Sequence, residues 1–336
     1  MSGWPNSDPN PLDQVTDLAR NALQSWPGIV GAPQLVMHRE NTVFRVETEH
    51  GPGALRIHRS GYHSLLAIKS ELDWMAHLAA NGIKVPAPLK TKTGALMESF
   101  GTGKEERIVD LLSWLDGEPL GQTGKLLARK LPVLREIFHN LGSAMARLHV
   151  ISDQWKRPQN FTRHAWNRDG LVGQNPFWGK FWALSDTTPE DEELLTATRD
   201  RVRFDLDAFI SGGADYGLIH ADLVRENVLV SGTQIRMIDF DDSGFGFRMF
   251  DVATALIKNR NEPHYDTMKD ALIEGYHTQR QLPQRELDSL PLFMLLRALT
   301  YLGWAEARKF EPGMDARRAR LKTEALALAS SYLAAG

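Results

Sequence analysis

The stretch "LIHADLVRENVLVSGTQIRMIDFDDSG", residues 218–244, holds Asp222, Asp239, Asp241 and Asp242 among apolar, strand-forming runs. Buried carboxylates without partners are costly, and they ordinarily take up a proton or find a cation. "NVLV" and "IRMIDF" flank "SGTQ", a turn-forming cluster, so the segment reads as an antiparallel hairpin. A four- or five-residue turn centred there puts Asn227 opposite Asp239 or opposite its neighbour, at ~4.5–5.5 Å between Cα atoms. An amide oxygen and a carboxylate then converge at one end of the hairpin. That suits magnesium, a hard cation held by one or two carboxylates plus phosphates and water. Asp222 lies in the loop entering the first strand and can face the same spot. One base and two metal ligands are what phosphoryl transfer needs: a group to orient a hydroxyl, and a metal to neutralise phosphate charge. The rival reading, an acidic loop that binds structural calcium or faces water, leaves Asn227 without a part.

The elements that must hold this hairpin fall into two groups. "LDQVTDLARNALQSW" has helical apolar spacing, and "QLVMHRENTVFRVETEHGPGALRIHR" reads as strands broken at 38–41 and at "EHGPG". "HSLLAIKSELDWMAHLAANG" is an amphipathic helix stopped by Asn81-Gly82. "VPAP" continues extended, and "TGALMESF" and "RIVDLLSWLDGE" read as antiparallel strands. The expected fold class is therefore α+β. A small antiparallel sheet with one helix inserted after its third strand occupies 1–115, and a larger, mostly helical lobe with the embedded hairpin occupies 116–336. In the second part "LREIFHNLGSAMARLHV" and "PLFMLLRALTYLGWAEARKF" read as helices, and Thr188-Pro189 followed by acids marks a helix start.

Bulk composition narrows the function. The chain has 336 residues, a net charge of -3 and no cysteine. Disulfides, thiolate catalysis and cysteine-based zinc sites are excluded. Nothing pulls the chain toward nucleic acid, and no apolar run approaches the ~20 residues of a membrane span. "MSGWPNSDPNPLDQ" lacks the basic start and apolar run of a signal peptide, so a cytoplasmic location is expected. Oligomeric state is not legible.

"HADLVREN" and "IDFDD" resemble the catalytic and metal-binding motifs of the aminoglycoside phosphotransferase superfamily, which has a protein-kinase-like fold. The similarity is greatest to the branch of type II homoserine kinases, hydroxylysine kinases and stress response kinase A. It extends through "ENTVFRV", "ALRIHR", "SELDWMAHLAANGIKVPAPL", "SWLDGEPL", "LGSAMARLH" and "FDVATAL". The resemblance implies ATP and Mg2+ as cofactors, with Asp222 as catalytic base and Asn227 and Asp239 as metal ligands. It implies that His220 and Asp251 support the catalytic loop. Arg56 stands where protein kinases carry the third-strand lysine, and Glu71 matches the helix glutamate that pairs with it. "HRENTVF" occupies the place of the glycine-rich phosphate loop but has no glycine, so Asn41 and Thr42 would contribute side-chain or amide contacts instead. Backbone groups of Ser113 to Leu115 would meet adenine, with Trp114 either packed on the base or in the core.

Asp241 follows Asp239-Phe240 where a protein kinase has glycine, and eleven residues separate Asp239 from Asp251. That leaves no room for a long, phosphorylatable activation segment, and it favours a small-molecule hydroxyl acceptor. A Ser/Thr protein kinase of the stress-response type and a nucleotide-binding regulator without activity are the alternatives. Residues 155–182 hold seven aromatic side chains, Trp166 among them. They could enclose an alkylammonium group, at ~0.5–2 kcal/mol for cation–π attraction, or form core. Arg225, Asp241, Asp242, Tyr301 and Trp304 complete the expected acceptor side.

Overall fold

The computed structural model describes residues 12–38, 41–103, 106–311 and 313–335. These divide into two compact units. The first comprises the described residues up to Gly117 together with Trp155–Arg163; the second comprises Glu118–Gln154 and the described residues from His164 onward. The return of Trp155–Arg163 to the first unit has no counterpart in the expected division at 115, because it depends on side-chain contacts far apart in sequence. Thr162 N donates to Ser70 Oγ at 2.9 Å, and Arg163 Nη1 reaches Glu71 Oε2 at 3.2 Å.

In the first unit, helix α1 (Leu12–Ala22) and a 3-10 turn precede strands β1 (Ile29–His38), β2 (Thr42–Thr48) and β3 (Gly51–Ile57). Then come α2 (Leu65–Ala80), β4 (Met97–Phe100) and β5 (Arg107–Ser113). The strands form one antiparallel sheet in the order β1-β2-β3-β5-β4, with α2 inserted after the third strand as expected. Alternation in β2 buries Phe44 and Val46, which pack with Leu55 and Ile57 of β3, Val109 and Leu111 of β5, and Val15, Ala19 and Trp26. Each large apolar side chain so buried contributes about 1.5–3 kcal/mol.

The second unit runs through β6 (Glu118–Pro119), α3 (Leu131–Gln154), β7 (Ala165–Trp166), α4 (Arg168–Val172) and α5 (Pro189–Ser211). It continues with β8 (Tyr216–Ile219), β9 (Val228–Ser231), β10 (Gln234–Met237) and β11 (Gly244–Phe247). Helices α6 (Arg248–Ile257), α7 (Tyr265–His277), α8 (Gln284–Asp288), α9 (Leu290–Ala307) and α10 (Met314–Ala334) complete it. The helix start at 188 is a capping box: Thr188 Oγ1 accepts from Asp191 N at 3.2 Å, and Thr188 N donates to Asp191 Oδ2. The hairpin forms, but its turn is tighter than expected. Ser231 pairs directly with Gln234, leaving a two-residue loop in which Gly232 takes φ 63°. Among the described residues no helix is long and apolar enough to cross a membrane.

Candidate active site

The hairpin register sets the site. Met237 pairs with Val228, and one step on Ile238 N donates to Asn227 O at 3.0 Å, so Asn227 stands across from the neighbour of Asp239. Asp239 adopts φ 67° and Ala221 φ 66°, left-handed conformations that cost free energy in residues with a side chain. The surroundings hold the loop in place. Asp251 Oδ2 accepts from His220 N at 2.9 Å and Asp251 Oδ1 from Ala221 N at 2.6 Å, so one buried carboxylate ties two successive amides. His149 Nε2 lies 3.0 Å from the same carboxylate and its Nδ1 lies 2.8 Å from the Tyr276 hydroxyl. Burial would raise the Asp251 carboxyl; the hydrogen bond and charge of His149, with His220, bring it below its ordinary value. The loop histidine is also fixed. Its Nδ1 accepts from Asp222 N, and its Nε2 lies 3.0 Å from Ile238 O, which assigns the neutral tautomer protonated at Nε2. Burial lowers its pKa and so favours that neutral form.

Asp222 is gripped from two sides. Asn227 Nδ2 donates to Asp222 Oδ2 at 2.8 Å and to Asp222 O at 2.9 Å. Arg297 Nη2 donates to Asp222 Oδ1 at 2.5 Å. Burial pushes the Asp222 carboxyl up, against the pull of Arg297, His220 and Lys258. A carboxylate raised in this way is a better proton acceptor while it stays ionised.

The amide nitrogen of Asn227 is spent on Asp222, and its Oδ1 makes no hydrogen bond among the described residues; Asn227 stands beside the strand position next to Asp239. An amide oxygen and a carboxylate on neighbouring backbone fit a hard divalent cation. Among the described residues no group of three or more His, Asp or Glu side chains is placed to hold a metal. The donor set therefore fits an ion completed by phosphate and water rather than an all-protein cage.

In the first unit, Arg56 of β3 makes the pair with Glu71 of α2, Nη1 to Oε1 at 2.9 Å. It also forms a two-pronged contact with Asp110 of β5, at 2.9 and 2.8 Å, and His58 Nε2 lies 2.5 Å from the same carboxylate. Burial alone would lower the pKa of Arg56, but Asp110 and Glu71 hold it well above its ordinary value. Burial alone would raise Asp110, but Arg56 and His58 bring it down to about 2. The sequence reading missed Asp110, although a lone acid inside the apolar strand "RIVDLLSW" was a usable signal.

Several expected contacts change. Thr42 is buried and its hydroxyl lies 2.8 Å from His38 Nδ1, so that side chain serves the β1–β2 turn. Asn41 Oδ1 accepts from Arg59 N at 3.2 Å; Arg39 and Glu40 of the same segment lie outside the described residues. Ser113 N is committed to Ala87 O, and Trp114 N to Pro52 O, which removes Ser113 as an amide donor to adenine. Leu115 lies beyond the end of β5.

On the expected acceptor side, Arg225 is corrected. Its guanidinium is buried against Asn259 Oδ1 at 2.8 Å, Lys125 O at 2.7 Å and Glu262, so it braces the catalytic loop. Trp166 is corrected as well: it is fully buried, stacks near Phe250 and donates Nε1 to Asp242 O at 2.9 Å. Trp166 belongs to the core, while Trp155 and Phe161 belong to the first unit, Trp155 stacked on His77. Asp241 is buried, and Asp242 is anchored through its main chain by His164 and Trp166. Tyr301 does reach the site, because its hydroxyl accepts from Arg297 Nη2 at 3.0 Å. Trp304 lies under the guanidinium groups of Arg308 and Arg317, at 4.6 and 4.3 Å.

Two functional candidates escaped the sequence reading. Arg297 is the lone charge in "LPLFMLLRALTYLGW" of α9 and is wholly buried; it could have been found as a charge in an otherwise apolar helix. Lys258, at the end of α6, holds its Nζ 4.0 Å from the Tyr301 ring centroid. No sequence signal distinguishes it.

The chain is similar in sequence and fold to known proteins. A homoserine kinase of Rhizobium johnstonii is 28% identical over 301 residues, 85% of this chain and 81% of the relative. The solved structure of a microcompartment-associated aminopropanol kinase superposes with a TM-score of 0.81 at 29% identity, covering 95% of this chain and 98% of that one. An amicoumacin kinase solved with AMP-PNP, Ca2+ and Ami has a TM-score of 0.75 at 20% identity, over 94% and 93% of the two chains. Its likeness shows the kinase-like fold alone. Residues 33–288 match the phosphotransferase enzyme family, and the chain is a member of that family, a phosphotransferase with a protein-kinase-like α+β fold.

Proposed function

We propose that this protein transfers the γ-phosphate of ATP, with Mg2+, to the hydroxyl of a small amino- or amino-acid-like molecule. The observation that carries the reading is the pairing around Asn227. One side-chain nitrogen aligns Asp222, and the remaining oxygen is left for a cation next to Asp239. In the reaction Asp222 takes the acceptor's hydroxyl proton as the acceptor oxygen bonds to the γ-phosphorus, and the bond from that phosphorus to the bridging oxygen breaks to release ADP. Asn227 and Asp239 would hold the metal, which neutralises phosphate charge when bound. Arg56, steadied by Glu71 and Asp110, would meet the nucleotide phosphates. His220, Asp251 and Arg225 keep the loop in position.

The homoserine kinase and aminopropanol kinase relatives support a small acceptor, and membership of the phosphotransferase enzyme family supports phosphoryl transfer to it. The chain passes from Asp239 through a turn and β11 directly into α6, which also favours a small acceptor over a protein regulated by an activation segment. The test is acceptor-dependent ADP release across a panel of amino alcohols, hydroxy amino acids and aminoglycosides. Asp222→Asn should cut turnover on the best acceptor about 100- to 10,000-fold. Near-native turnover in that variant would remove Asp222 from the role of base.

A further inference from the structure

The side of Asp222 turned toward α6 and α9 is crowded with positive charge. Lys258 Nζ and the Arg297 guanidinium carbon lie 4.0 and 4.2 Å from the centroid of the same Tyr301 ring. Arg297 has one carboxylate partner, Asp222, and its Nε and Nη1 make no hydrogen bond. Those edges meet aromatic rings, with Trp178 at 4.7 Å and Phe250 at 5.3 Å. Among the described residues Lys258 makes neither a hydrogen bond nor an ion pair, and it is half-buried. Burial is the largest cause of its depressed pKa, about 8; Glu324 opposes the shift, while Arg297, Arg320 and Arg317 deepen it.

A half-buried ammonium beside a guanidinium, with no carboxylate paired to it, favours an anion in the space next to it. Cationic acceptor groups would be repelled from this corner. The Tyr301 ring, an apolar surface that would suit an alkylammonium, is already taken by two cations.

We propose that the acceptor carries an anionic group, a carboxylate or a phosphate, which seats against Lys258 in the field of Arg297 while its hydroxyl meets Asp222. The inference rests on the kinase reading above and narrows its substrate class. It turns away from plain amino alcohols and toward hydroxy acids, hydroxy amino acids or phosphorylated alcohols. Trp304 and Arg317, stacked at 4.3 Å, continue the positive lining toward solvent.

The test uses matched pairs that differ by the anion alone. L-Homoserine is set against 3-amino-1-propanol, L-threonine against 1-amino-2-propanol, and glycerol 3-phosphate against glycerol. Each is titrated calorimetrically into the full chain with a non-hydrolysable ATP analogue and Mg2+, and ADP release with ATP is followed in parallel. In at least one pair the anionic member should bind ten-fold tighter or more, and the pair that does so separates carboxylate from phosphate. Lys258→Met should abolish that preference while leaving nucleotide affinity, and the affinity for uncharged glycerol, within about two-fold. If no anionic member is preferred, the inference is overturned, whether or not ADP is released. Weakened nucleotide binding in Lys258→Met would also overturn it, since the ammonium would then serve the phosphate donor. ADP release without anion preference would leave the kinase reading standing alone.

Discussion

Removing the charge of Arg297 offers the sharpest test of how Asp222, the proposed base, is held. The guanidinium meets Asp222 Oδ1 at 2.5 Å, from a side chain with no exposed surface. Charge centres ~4 Å apart at an effective dielectric constant of ~20 attract by about 4 kcal/mol. Asp222 keeps 19% of its side chain exposed, so water screens part of this and about 2 kcal/mol is the expected coupling. Arg297→Met keeps most of the volume and loses the charge. Its packing cost does not depend on pH, whereas the lost coupling does. Without Arg297 the Asp222 carboxyl rises further above its unfolded value, so the folded variant binds a proton that the native protein has released. The stability gap between native protein and variant must therefore widen as pH rises through the titration of Asp222, by up to about 2 kcal/mol. Urea unfolding over a series of pH values from acid upward measures this without any acceptor. The acid limb of kcat/KM should move to higher pH in the same variant, and Arg297→Lys should restore part of both effects. A gap that stays constant or narrows with rising pH would refute the claim that Arg297 holds Asp222 ionised.

Further expectations concern the metal, the loop brace and the first unit. Asp239→Ala should abolish Mg2+-dependent nucleotide binding, and calorimetry showing the same affinity with Mg2+ as with chelator is the expected signature; a retained Mg2+ response would count against the assignment. The His149 pKa is lowered to about 4, by burial first and then by Arg248. This stabilisation is complete above the unfolded value of ~6.5 and is lost as pH falls from there toward 4, about 3 kcal/mol in all. His149→Gln should flatten that part of the stability profile, and an unchanged slope would show that His149 does not titrate as described. Asp110→Ala leaves the buried Arg56 with Glu71 as its remaining carboxylate partner and removes the anion beside His58, which should destabilise the chain by up to roughly 3–5 kcal/mol, read by denaturant unfolding; a loss under 1 kcal/mol would mean that Glu71 alone satisfies Arg56.

The hairpin that carries the candidate site was readable because its logic is local. His220, Asp222, Asn227 and Asp239 lie on one loop and two adjacent strands, so spacing alone bounds their separation. The helix start at Thr188 and the position of α2 after β3 were readable for the same reason, since caps and strand alternation depend on near neighbours. Arg56 and Glu71 are fifteen positions apart and needed the family resemblance as well as their spacing. The errors share one cause. Arg225, Thr42 and Trp166 have residue types that suit ligands, but each side chain is consumed by a partner that folding brings to it.

Sequence by itself determined the kind of chemistry proposed for this chain, because the proposed base and metal donors sit on a single local motif. Tertiary structure decided how that motif is charged. Arg297 reaches Asp222 across 75 positions, and Asp110 reaches Arg56 across 54. Lys258 comes beside Tyr301 only because α6 and α9 pack together. Electrostatic strength depends on distance and on exclusion of water, and neither exists until the chain has folded.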